Sequence, residues 1–356
     1  MEEVMIVGAG IAGVATAVAL RKVGIRALVL ERSKELRVTG AALGLQPNAW
    51  LALDALGVSG KLAPLYDPIP TGYVTDVQTK SIQEVHFAAN NRFPPSSIRF
   101  SSRITSIKTQ VEQGSSFCIV TLDDGTIIKA KGAVGCDGVH SIVANLRGLS
   151  VFPEGHGLDD GHKFQQFVDV GKRGGFVTLN DKELYWFFLG KSPAKGMENG
   201  VNPETIQREV TLRSFELDMG PLMFRYPWDV LFGNLAKSNV TVAGDALHPM
   251  TPDLGQGGCS ALEDAVVLGQ HLGDLICKHG KLMTQDIGFA IERYAKERRL
   301  RATMLITASY GMMKLLRDVV FYRLLLSRVV NRISRYDCGK LPSVSSLPSI
   351  DCLKGQ

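Results

Sequence analysis

The sequence predicts an α/β protein in which a dinucleotide-binding domain is interleaved with a smaller β-sheet domain. Two observations predict the first domain: a complete strand–loop–helix–strand unit in residues 4–31, and two later glycine–aspartate motifs that each follow an apolar run. Three segments with strand composition, at residues 164–168, 175–179 and 184–189, predict the second sheet. The length of 356 residues and the content of 45% hydrophobic residues are typical of a globular chain with two domains.

The first element is the N-terminal βαβ unit. Residues 4–7 form a short apolar strand, residues 8–13 have the pattern GxGxxG, an apolar helix extends to about Lys22, and residues 26–30 form a second strand. In such a unit Gly8 permits a tight turn, Gly10 lets the backbone approach a pyrophosphate, and Gly13 allows helix and strand to pack closely. The whole unit is a more specific signal than the glycine pattern alone.

The start of this helix and the end of the second strand predict a nucleotide site. The N–H groups at Ile11 and Ala12, together with the positive end of the helix dipole, favour a bound pyrophosphate. Glu31 ends the second strand, where its carboxylate can accept hydrogen bonds from ribose hydroxyls, and Arg32 follows it. Because an acid at this position repels a 2′-phosphate, the sequence predicts that NADP is not the ligand of this site.

Two later motifs place an aspartate directly after a strand. Residues 135–141 read GCDGVHS and contain Asp137 and Gly138, and residues 240–246 read VTVAGDA and contain Gly244 and Asp245. An aspartate at the end of a strand can reach the hydroxyl groups of a sugar or polyol. The second motif leads through a glycine-rich loop into a helix that carries Glu263 and Asp264, which we interpret as structural acids of the first helical turn.

These motifs, in this order and at these separations, resemble the group A flavin monooxygenases related to para-hydroxybenzoate hydroxylase. Within that group the sequence is most similar to the plant branch related to zeaxanthin epoxidase, and the resemblance covers nearly the whole chain. It implies a two-dinucleotide-binding-type Rossmann domain for FAD, an interleaved smaller β-sheet substrate domain, and a C-terminal helical segment. The corresponding boundaries are 1–150 and 235–285 for the FAD domain, 151–234 for a shortened substrate domain, and 286–356 for the C-terminal helices and tail.

The resemblance also implies roles for individual residues. The ADP half of FAD would lie at the N-terminal unit, the second motif would serve both FAD and the incoming NAD(P)H, and the third would contact the ribityl chain or the pyrophosphate. The loop after it would bring backbone close to the isoalloxazine ring. The implied cofactor-binding residues are Gly8, Gly10, Ile11, Ala12, Gly13, Glu31, Arg32, Asp137, Gly138, Gly244, Asp245, Pro252, Gly255, Gln256 and Gly257.

In this family NADPH or NADH reduces FAD, O2 adds at the flavin C4a position, and the resulting hydroperoxide delivers one oxygen atom to the substrate. The resemblance therefore implies hydroxylation of a small or medium apolar or aromatic molecule. The flavin makes the new bond, so no catalytic side chain is assigned, and the sequence contains no GxSxG motif. The six cysteines form no CxxC pair and the seven histidines form no ligand pair, so neither a metal site nor a disulfide framework is expected.

Three places depart from the family pattern. An arginine-bearing helix normally precedes the strand at residues 97–100, but here Arg92 is followed by Pro94 and Pro95, which prevent a helix from continuing. The strand that usually leads into the second sheet is expected to be missing after Gly148, and a further loss is expected between residues 215 and 221. These losses leave two alternatives open: a flavin oxidoreductase that does not hydroxylate, and a shortened, catalytically impaired isoform.

The positive charge is concentrated near the C-terminus. Residues 286–340 carry 12 Lys and Arg against 5 Asp and Glu, whereas the rest of the chain has 28 basic and 30 acidic residues, so no nucleic-acid groove is expected. Residues 308–335 form a basic amphipathic pattern that fits either docking on the chain's own domain or peripheral contact with an anionic membrane. Because the N-terminus has neither signal-peptide nor clear transit-peptide character, we expect a cytoplasmic protein, with or without membrane contact.

Overall fold

The computed structural model describes most of the chain. The described residues are 1–36, 44–65, 71–86, 98–99, 104–112, 115–136, 143–152, 154–158, 164–169, 172–178, 181–190, 214–222, 224–315 and 331–343. The first five elements are β1 (Glu2–Val7), α1 (Ile11–Lys22), β2 (Ala27–Leu30), α2 (Pro47–Ala55) and α3 (Ser59–Leu62). The middle of the chain contributes β3 (Thr71–Asp76), β4 (Ile82–His86), β5 (Ile98–Arg99), β6 (Ile104–Glu112), β7 (Ser115–Leu122), β8 (Ile127–Gly135), β9 (Val143–Val151), β10 (Phe164–Asp169), β11 (Lys172–Thr178), β12 (Glu183–Gly190) and β13 (Ser214–Leu222). The remaining elements are α4 (Pro227–Leu231), β14 (Ala236–Lys237), β15 (Val240–Val242), α5 (Gly257–His279), α6 (Thr284–Leu315) and α7 (Asn331–Ile333).

The first sheet confirms the predicted dinucleotide-binding fold. Its strands follow the order β14–β15–β8–β1–β2–β5, and the hairpin of β6 and β7 joins it through β8. β1 pairs in parallel with both β2 and β8, and β15 pairs in parallel with β8. The strands predicted at residues 4–7 and 26–30 correspond to β1 and β2, and α1 ends at Lys22 as predicted.

Helices α1 and α5 lie side by side and run in the same direction. A Cβ added at Gly269 of α5 would lie 2.9 Å from the Cβ of Ala19 in α1, so a glycine there permits close approach. Nearer the start of both helices, Gly244 lies against Ala12 of α1 and Ala261 of α5. Because the contacts advance along both helices in the same sense, the N-termini of α1 and α5 open at the same edge of the molecule.

The second sheet has seven strands in the order β13–β9–β12–β11–β10–β3–β4. The three segments predicted as strands are present as β10, β11 and β12, which form an antiparallel meander. Leu184 and Trp186 of β12 form a small buried cluster, against which Phe152 and Phe176 pack. Trp186 therefore packs in the core of this sheet.

The second sheet corrects what we expected from the apparent losses. We expected the sheet to lack its leading strand after Gly148, but β9 already includes Gly148 and pairs with β12 and β13. The expected loss between residues 215 and 221 falls within β13, which has a register shift near its start, and the loss itself remains a prediction. β13 lies at the edge of the sheet, where Pro221 is tolerated because no further strand needs its missing N–H.

The two sheets also cross the boundaries drawn from the sequence. β3 and β4 lie within the range 1–150 but belong to the second sheet, because β3 pairs in parallel with β10. Val74 of β3 and Val168 of β10 also pack into the main hydrophobic core, so the second sheet contacts the first region through this side. The division into domains at the predicted boundaries remains a prediction.

The C-terminal part of the structure begins with the long helix α6. Its Arg299 donates from Nη1 to the carbonyl oxygens of Val230, Leu231 and Gly233, which holds α4 against α6. Most of the basic amphipathic segment at 308–335 lies outside the described residues, so its docking or membrane contact remains a prediction, as does the cytoplasmic location. Among the helices in the described part of the chain, none is both long and apolar enough to cross a membrane.

Candidate cofactor-binding site

The predicted motifs meet at one edge of the first sheet. β1, β2, β8 and β15 are parallel, so their carboxyl ends lie at the same edge. Gly8 follows β1, Glu31 follows β2, Cys136 follows β8, and Gly244 lies two residues after β15. In open α/β sheets, ligands bind outside the carboxyl ends of the strands. Asp137 and Gly138 of the second motif lie outside the described residues, although the strand before them ends at this edge.

The three glycines of the N-terminal loop have different structural roles. Gly8 has a φ of +98°, a conformation that side chains other than glycine rarely adopt. A Cβ at Gly13 would collide with the carbonyl oxygen of Gly8, so close packing of α1 on β1 requires glycine there. In contrast, a Cβ at Gly10 would meet no atom within 4 Å. Gly8 and Gly13 therefore serve the fold, whereas Gly10 leaves open space above the N-terminus of α1.

Glu31 holds the glycine loop as well as ending β2. Its Oε2 accepts a hydrogen bond of 2.8 Å from the N–H of Ala9, and its Oε1 accepts one of 2.9 Å from the N–H of Ser33. The first of these bonds connects the end of β2 to the glycine loop. Arg32 is exposed to solvent beside it. The ribose contact itself remains a prediction.

The third motif lies directly beside the first. Gly244 has a φ of +60°, and a Cβ there would lie 2.6 Å from the Cβ of Ala12 in the first turn of α1. The next residue, Asp245, is exposed. Its Oδ1 lies 3.9 Å from the position of a Cβ at Gly257, the first residue of α5. The structure thus brings Asp245 to the place where the N-termini of α1 and α5 both open.

The loop before α5 offers backbone, whereas its glutamine side chain faces inward. Gln256 is buried, and its Nε2 donates to Oε1 of Gln46 over 2.6 Å. Its Oε1 accepts a hydrogen bond of 2.9 Å from Nδ2 of Asn48. Pro252 and Gly255 are exposed, and Gly255 has a φ of +60°. The predicted role of Gln256 can therefore involve only its backbone, since its amide side chain ties the loop to α2.

Behind the third motif, two acids and two arginines form a buried network. Arg298 of α6 bonds to both acids: its Nε lies 2.6 Å from Oδ1 of Asp264, and its Nη2 lies 2.8 Å from Oε2 of Glu263. Nη2 of Arg301 lies 2.8 Å from Oε1 of Glu263, which also accepts a hydrogen bond of 2.6 Å from Nδ2 of Asn48. The side chains of Glu263, Asp264 and Arg298 are all 0% exposed. Removing one partner of such a buried pair is costly, since it leaves the other charge uncompensated.

This network corrects one part of the sequence interpretation. Glu263 and Asp264 have the expected structural role, but they do not belong to the first turn of their helix. α5 begins at Gly257, so both acids lie in its second turn, and the first turn contains no acidic residue. The positive end of the helix is therefore not the reason for their presence. The two arginines of α6 are.

The arginines keep both acids ionised despite their burial. Burial alone would raise the pKa of Glu263, but the charge of Arg298 and the hydrogen bond from Arg301 hold it below its ordinary value. For Asp264, burial again acts to raise the pKa, and the electrostatic interactions with His248 and Arg298 lower it. Burial acts to lower the pKa of Arg298, but Asp264 and Glu263 raise it well above its ordinary value. At neutral pH the network therefore contains charged pairs.

Sequence reasoning missed several residues that shape this site, among them Gln46, Asn48, His248, Arg298 and Arg301. A local signal existed for α2, since Pro47 is well suited to the first turn of a helix and the apolar run follows it. The three-residue spacing of Arg298 and Arg301 places them on one face of a helix. Their partners lie more than 30 residues away in sequence, so only the packing of α5 on α6 identifies them as buried.

Cysteine chemistry does not explain this site. Cys259 is buried near the N-terminus of α5, and burial raises the pKa of its thiol to about 12. A thiol with that pKa stays protonated at neutral pH and is therefore a poor nucleophile. The structure describes five of the six cysteines, and these five are free thiols. In the same part of the chain, no group of three or more His, Cys, Asp or Glu side chains could hold a metal ion.

The arrangement fits a dinucleotide cofactor. The open space at Gly10 lies over a helix N-terminus, which favours an anionic pyrophosphate. The exposed carboxylate of Asp245 can accept hydrogen bonds from the hydroxyls of a sugar or polyol chain. The exposed backbone at Gly255 and the start of α5 lie next to it. These features agree with the positions that the motifs assign to the two halves of FAD.

Comparison with known proteins identifies a matching family and several relatives. Residues 1–73 and 204–309 match the FAD binding domain family. Monooxygenase 2 of Arabidopsis thaliana is 37% identical over 409 residues, covering 95% of this chain and 98% of the relative. Monooxygenase 1 of the same plant is 34% identical over 407 residues, covering 96% of this chain and 100% of the relative. Both alignments are longer than this chain, so these relatives contain segments that have no counterpart here.

A solved structure shows the same fold. The crystal structure of Klebsiella pneumoniae HpxO complexed with FAD and uric acid has a TM-score of 0.69 and 22% sequence identity. The similarity covers 94% of this chain and 96% of that one. The likeness shows a shared fold over nearly the whole of both chains.

Proposed function

Since the chain belongs to the group A FAD-dependent monooxygenases, we propose that it inserts one oxygen atom from O2 into a small or medium apolar or aromatic molecule, with NADPH or NADH as the electron donor. The cofactor is FAD, held at the carboxyl edge of the first sheet. The observation that carries the proposal is the convergence of open backbone at Gly10, the exposed carboxylate of Asp245 and the N-terminus of α5 at that edge.

Each part of this edge has a separate task in the proposed reaction. The N-terminus of α1 binds the pyrophosphate. Glu31 accepts hydrogen bonds from the ribose hydroxyls, and Asp245 accepts hydrogen bonds from hydroxyl groups of the ribityl chain. The start of α5 directs the positive end of its dipole towards the ring, where it favours negative charge on the reduced cofactor. Bound FAD supplies the electron transfer and oxygen activation, chemistry for which amino-acid side chains are unsuited.

The second sheet is proposed to cover the reacting part of the cofactor and exclude water. Exclusion of water suppresses wasteful side reactions of oxygenated intermediates. Phe164 and Phe187 stack with ring centroids 6.3 Å apart, and both are partly exposed, so they are suited to contact an apolar substrate. The uric acid bound to the Klebsiella relative supports a substrate of small size.

A second candidate function is a flavin oxidoreductase that transfers electrons from NAD(P)H to O2 without hydroxylating a substrate. The intact segment from Gly244 to Ala265 is consistent with it. The connection from β4 to β5 instead favours the third alternative, the catalytically impaired isoform. These strands belong to different sheets, and only residues 87–97 join them. The family pattern has an arginine-bearing helix in this place, whose charge would help to hold the flavin. These connecting residues lie outside the described part of the chain.

One experiment separates the candidates. The purified full-length chain, supplied with FAD, would be mixed with NADPH or NADH in air-saturated buffer together with a panel of aromatic compounds that includes uric acid. NAD(P)H oxidation, O2 uptake, hydrogen peroxide and hydroxylated product are measured in the same samples. The monooxygenase proposal predicts that at least one compound gives a hydroxylated product in proportion to NAD(P)H consumed. If the hydrogen peroxide formed equals the NAD(P)H consumed with every compound, the oxidoreductase is favoured. If the chain neither hydroxylates a compound nor oxidises NAD(P)H, the impaired isoform is favoured.

A further inference from the structure

We propose that Asp264 and Arg298 are positioning residues for FAD, which fix the backbone of residues 243–245 and so present Asp245 to the ribityl chain or pyrophosphate. The inference rests on the proposed function in one respect, since it requires that FAD binds at this edge. Neither residue can touch the cofactor, because both side chains are fully buried. Their effect on FAD must therefore pass through the backbone that they hold.

The first step of the argument is the contact between Asp264 and Gly244. Oδ2 of Asp264 accepts a hydrogen bond of 2.7 Å from the N–H of Gly244, which is 20 residues earlier in the chain. The same oxygen lies 2.7 Å from Nε2 of His248, which lies in the loop after the motif. One buried carboxylate thus holds the cofactor loop at two points, before and after Asp245.

The second step is the conformation that this contact maintains. Gly244 has a φ of +60°, and its Cα lies against the first turn of α1 at Ala12. With the N–H of Gly244 turned inward to Asp264, the chain leaves the motif so that Asp245 is exposed beside Gly257. If the N–H of Gly244 loses its acceptor, backbone bonds alone hold the loop there, from Leu247 and His248 to the carbonyl oxygen of Gly244 and from Ala243 to Gly135. The direction of Asp245 is then less closely defined.

The third step is the dependence of Asp264 on Arg298. Nε of Arg298 donates to Oδ1 of Asp264 over 2.6 Å, and Nη2 donates to Oγ of Ser260 over 2.8 Å. Oγ of Ser260 lies 3.2 Å from Nε2 of His248, so Arg298 reaches both residues that contact the loop. A buried carboxylate without such a partner would take up a proton or draw in water, and either change weakens its hold on Gly244.

The neighbouring arginine provides a matched control. Arg299 follows Arg298 in α6, and its Nη1 donates to the three carbonyl oxygens of α4 and its end. Replacing it by lysine is therefore expected to destabilise the fold without changing the cofactor loop. The pair Arg298→Lys and Arg299→Lys applies the same substitution at adjacent positions, and Asp264→Asn tests the carboxylate with almost no change in volume.

The test measures FAD affinity and stability separately in the full chain. FAD is titrated into apo-protein by its fluorescence change at a temperature where circular dichroism shows each variant folded, and the midpoint of thermal unfolding is recorded without FAD. We expect all three variants to lower the midpoint. Only Arg298→Lys and Asp264→Asn should also raise the Kd for FAD, by about tenfold or more. If Arg298→Lys does not fold, Asp264→Asn carries the same test.

A double variant distinguishes positioning from general destabilisation. If Arg298 acts through Asp245, then Arg298→Lys should change FAD affinity little in a chain that already carries Asp245→Ala, because the positioned contact is gone. The proposal is overturned if the two effects on Kd multiply, or if Arg299→Lys weakens FAD binding as much as Arg298→Lys. A wild-type chain that binds no FAD would overturn the proposed function along with it. If the wild type binds FAD tightly but Arg298→Lys and Asp245→Ala change the Kd independently, only the positioning role is overturned.

Discussion

The region around the first sheet and the region around the second sheet are built in different ways. In the first region, β1, α1, α5 and α6 share one large hydrophobic core, and fully buried charges join α5 to α6 behind the cofactor loop. In the second region, the described side chains include a separate small cluster at Leu184 and Trp186, together with aromatic pairs that remain partly exposed. The strands of the second sheet are held together mainly by continuous backbone pairing.

This difference matches the demands of the two proposed tasks. FAD is the same molecule for every enzyme that uses it, so the loop that holds it can be supported by tight packing and buried ion pairs. A surface that binds the substrate has to differ between enzymes, and partly exposed aromatic side chains on paired strands can change without loss of the sheet. Substitutions in the first region should therefore change both the stability of the fold and the affinity for FAD. Substitutions in the second region should change the stability without changing the affinity for FAD.

The largest effect is expected for Gly13→Val. Its Cβ would collide with the backbone oxygen of Gly8, and neither α1 nor β1 can move without disturbing the shared core. We expect a loss of more than about 3 kcal/mol in the free energy of unfolding, or failure to fold. Gly10→Ala is the matched control, because its Cβ meets nothing and its extended backbone suits alanine. Urea denaturation should show wild-type stability for Gly10→Ala, and equal stability of both variants would contradict the assignment.

Asp245→Ala should affect the cofactor and spare the fold. The side chain is exposed, so its removal leaves no cavity. If it accepts a hydroxyl group of FAD, its loss leaves that group unpaired and costs about 1–3 kcal/mol of binding free energy. The Kd for FAD should then rise by roughly tenfold or more, with an unchanged unfolding midpoint. An unchanged Kd would show that Asp245 does not contact FAD.

Gly175→Ala tests the second region in the opposite direction. A Cβ at Gly175 in β11 would lie 2.9 Å from the ring of Phe187 in β12 and closer still to the backbone of β10. We expect a loss of about 1–3 kcal/mol in unfolding free energy from overpacking. Because the first sheet is untouched, the Kd for FAD measured on the folded variant should match the wild type. A higher Kd would mean that the two regions are more tightly coupled than their packing indicates.

The last prediction concerns the pH dependence of stability. Folding lowers the pKa of Glu263 below 4.5 and that of Asp264 below 3.8, so each ionised carboxylate stabilises the fold above those values. As pH falls through the lower folded pKa values, this contribution is lost, because the unfolded chain binds protons first. The double variant Glu263→Gln/Asp264→Asn should be less stable than the wild type at neutral pH, and the difference should shrink below about pH 4. A constant difference in urea denaturation would show that ionisation is not what these acids contribute.

Much of the first region was predictable because its signals are local. The glycine pattern, the strands beside it and Glu31 all occur within about 30 residues, and the structure places them as predicted. The inward turn of Gln256 and the buried network of Arg298 were not, because they depend on contacts between residues far apart in sequence. The basic charge of α6 illustrates the same limit, since Arg298 and Arg301 are used inside the molecule and not on its surface.

In the second region, strand composition identified β10, β11 and β12, but the sheet around them could not be predicted. β3 and β4 join it from a distant part of the chain through the pairing of β3 with β10. The place of β9 was also missed, because a departure from a family pattern indicates where residues are lost but not how the remaining strands pair. Pairing between distant strands leaves little trace in a single sequence.

The most direct test of the account is a comparison of flavin content between the wild-type chain and Gly10→Glu. The added side chain would fill the open space over the N-terminus of α1 and bring a negative charge to the pyrophosphate. The account predicts that the wild type, purified after incubation with FAD, shows the visible absorption of oxidised flavin. The variant should retain no flavin, and measured without FAD it should unfold at the same temperature as the wild-type apo-protein. Equal flavin content in the two proteins would contradict the assignment of this edge as the FAD site.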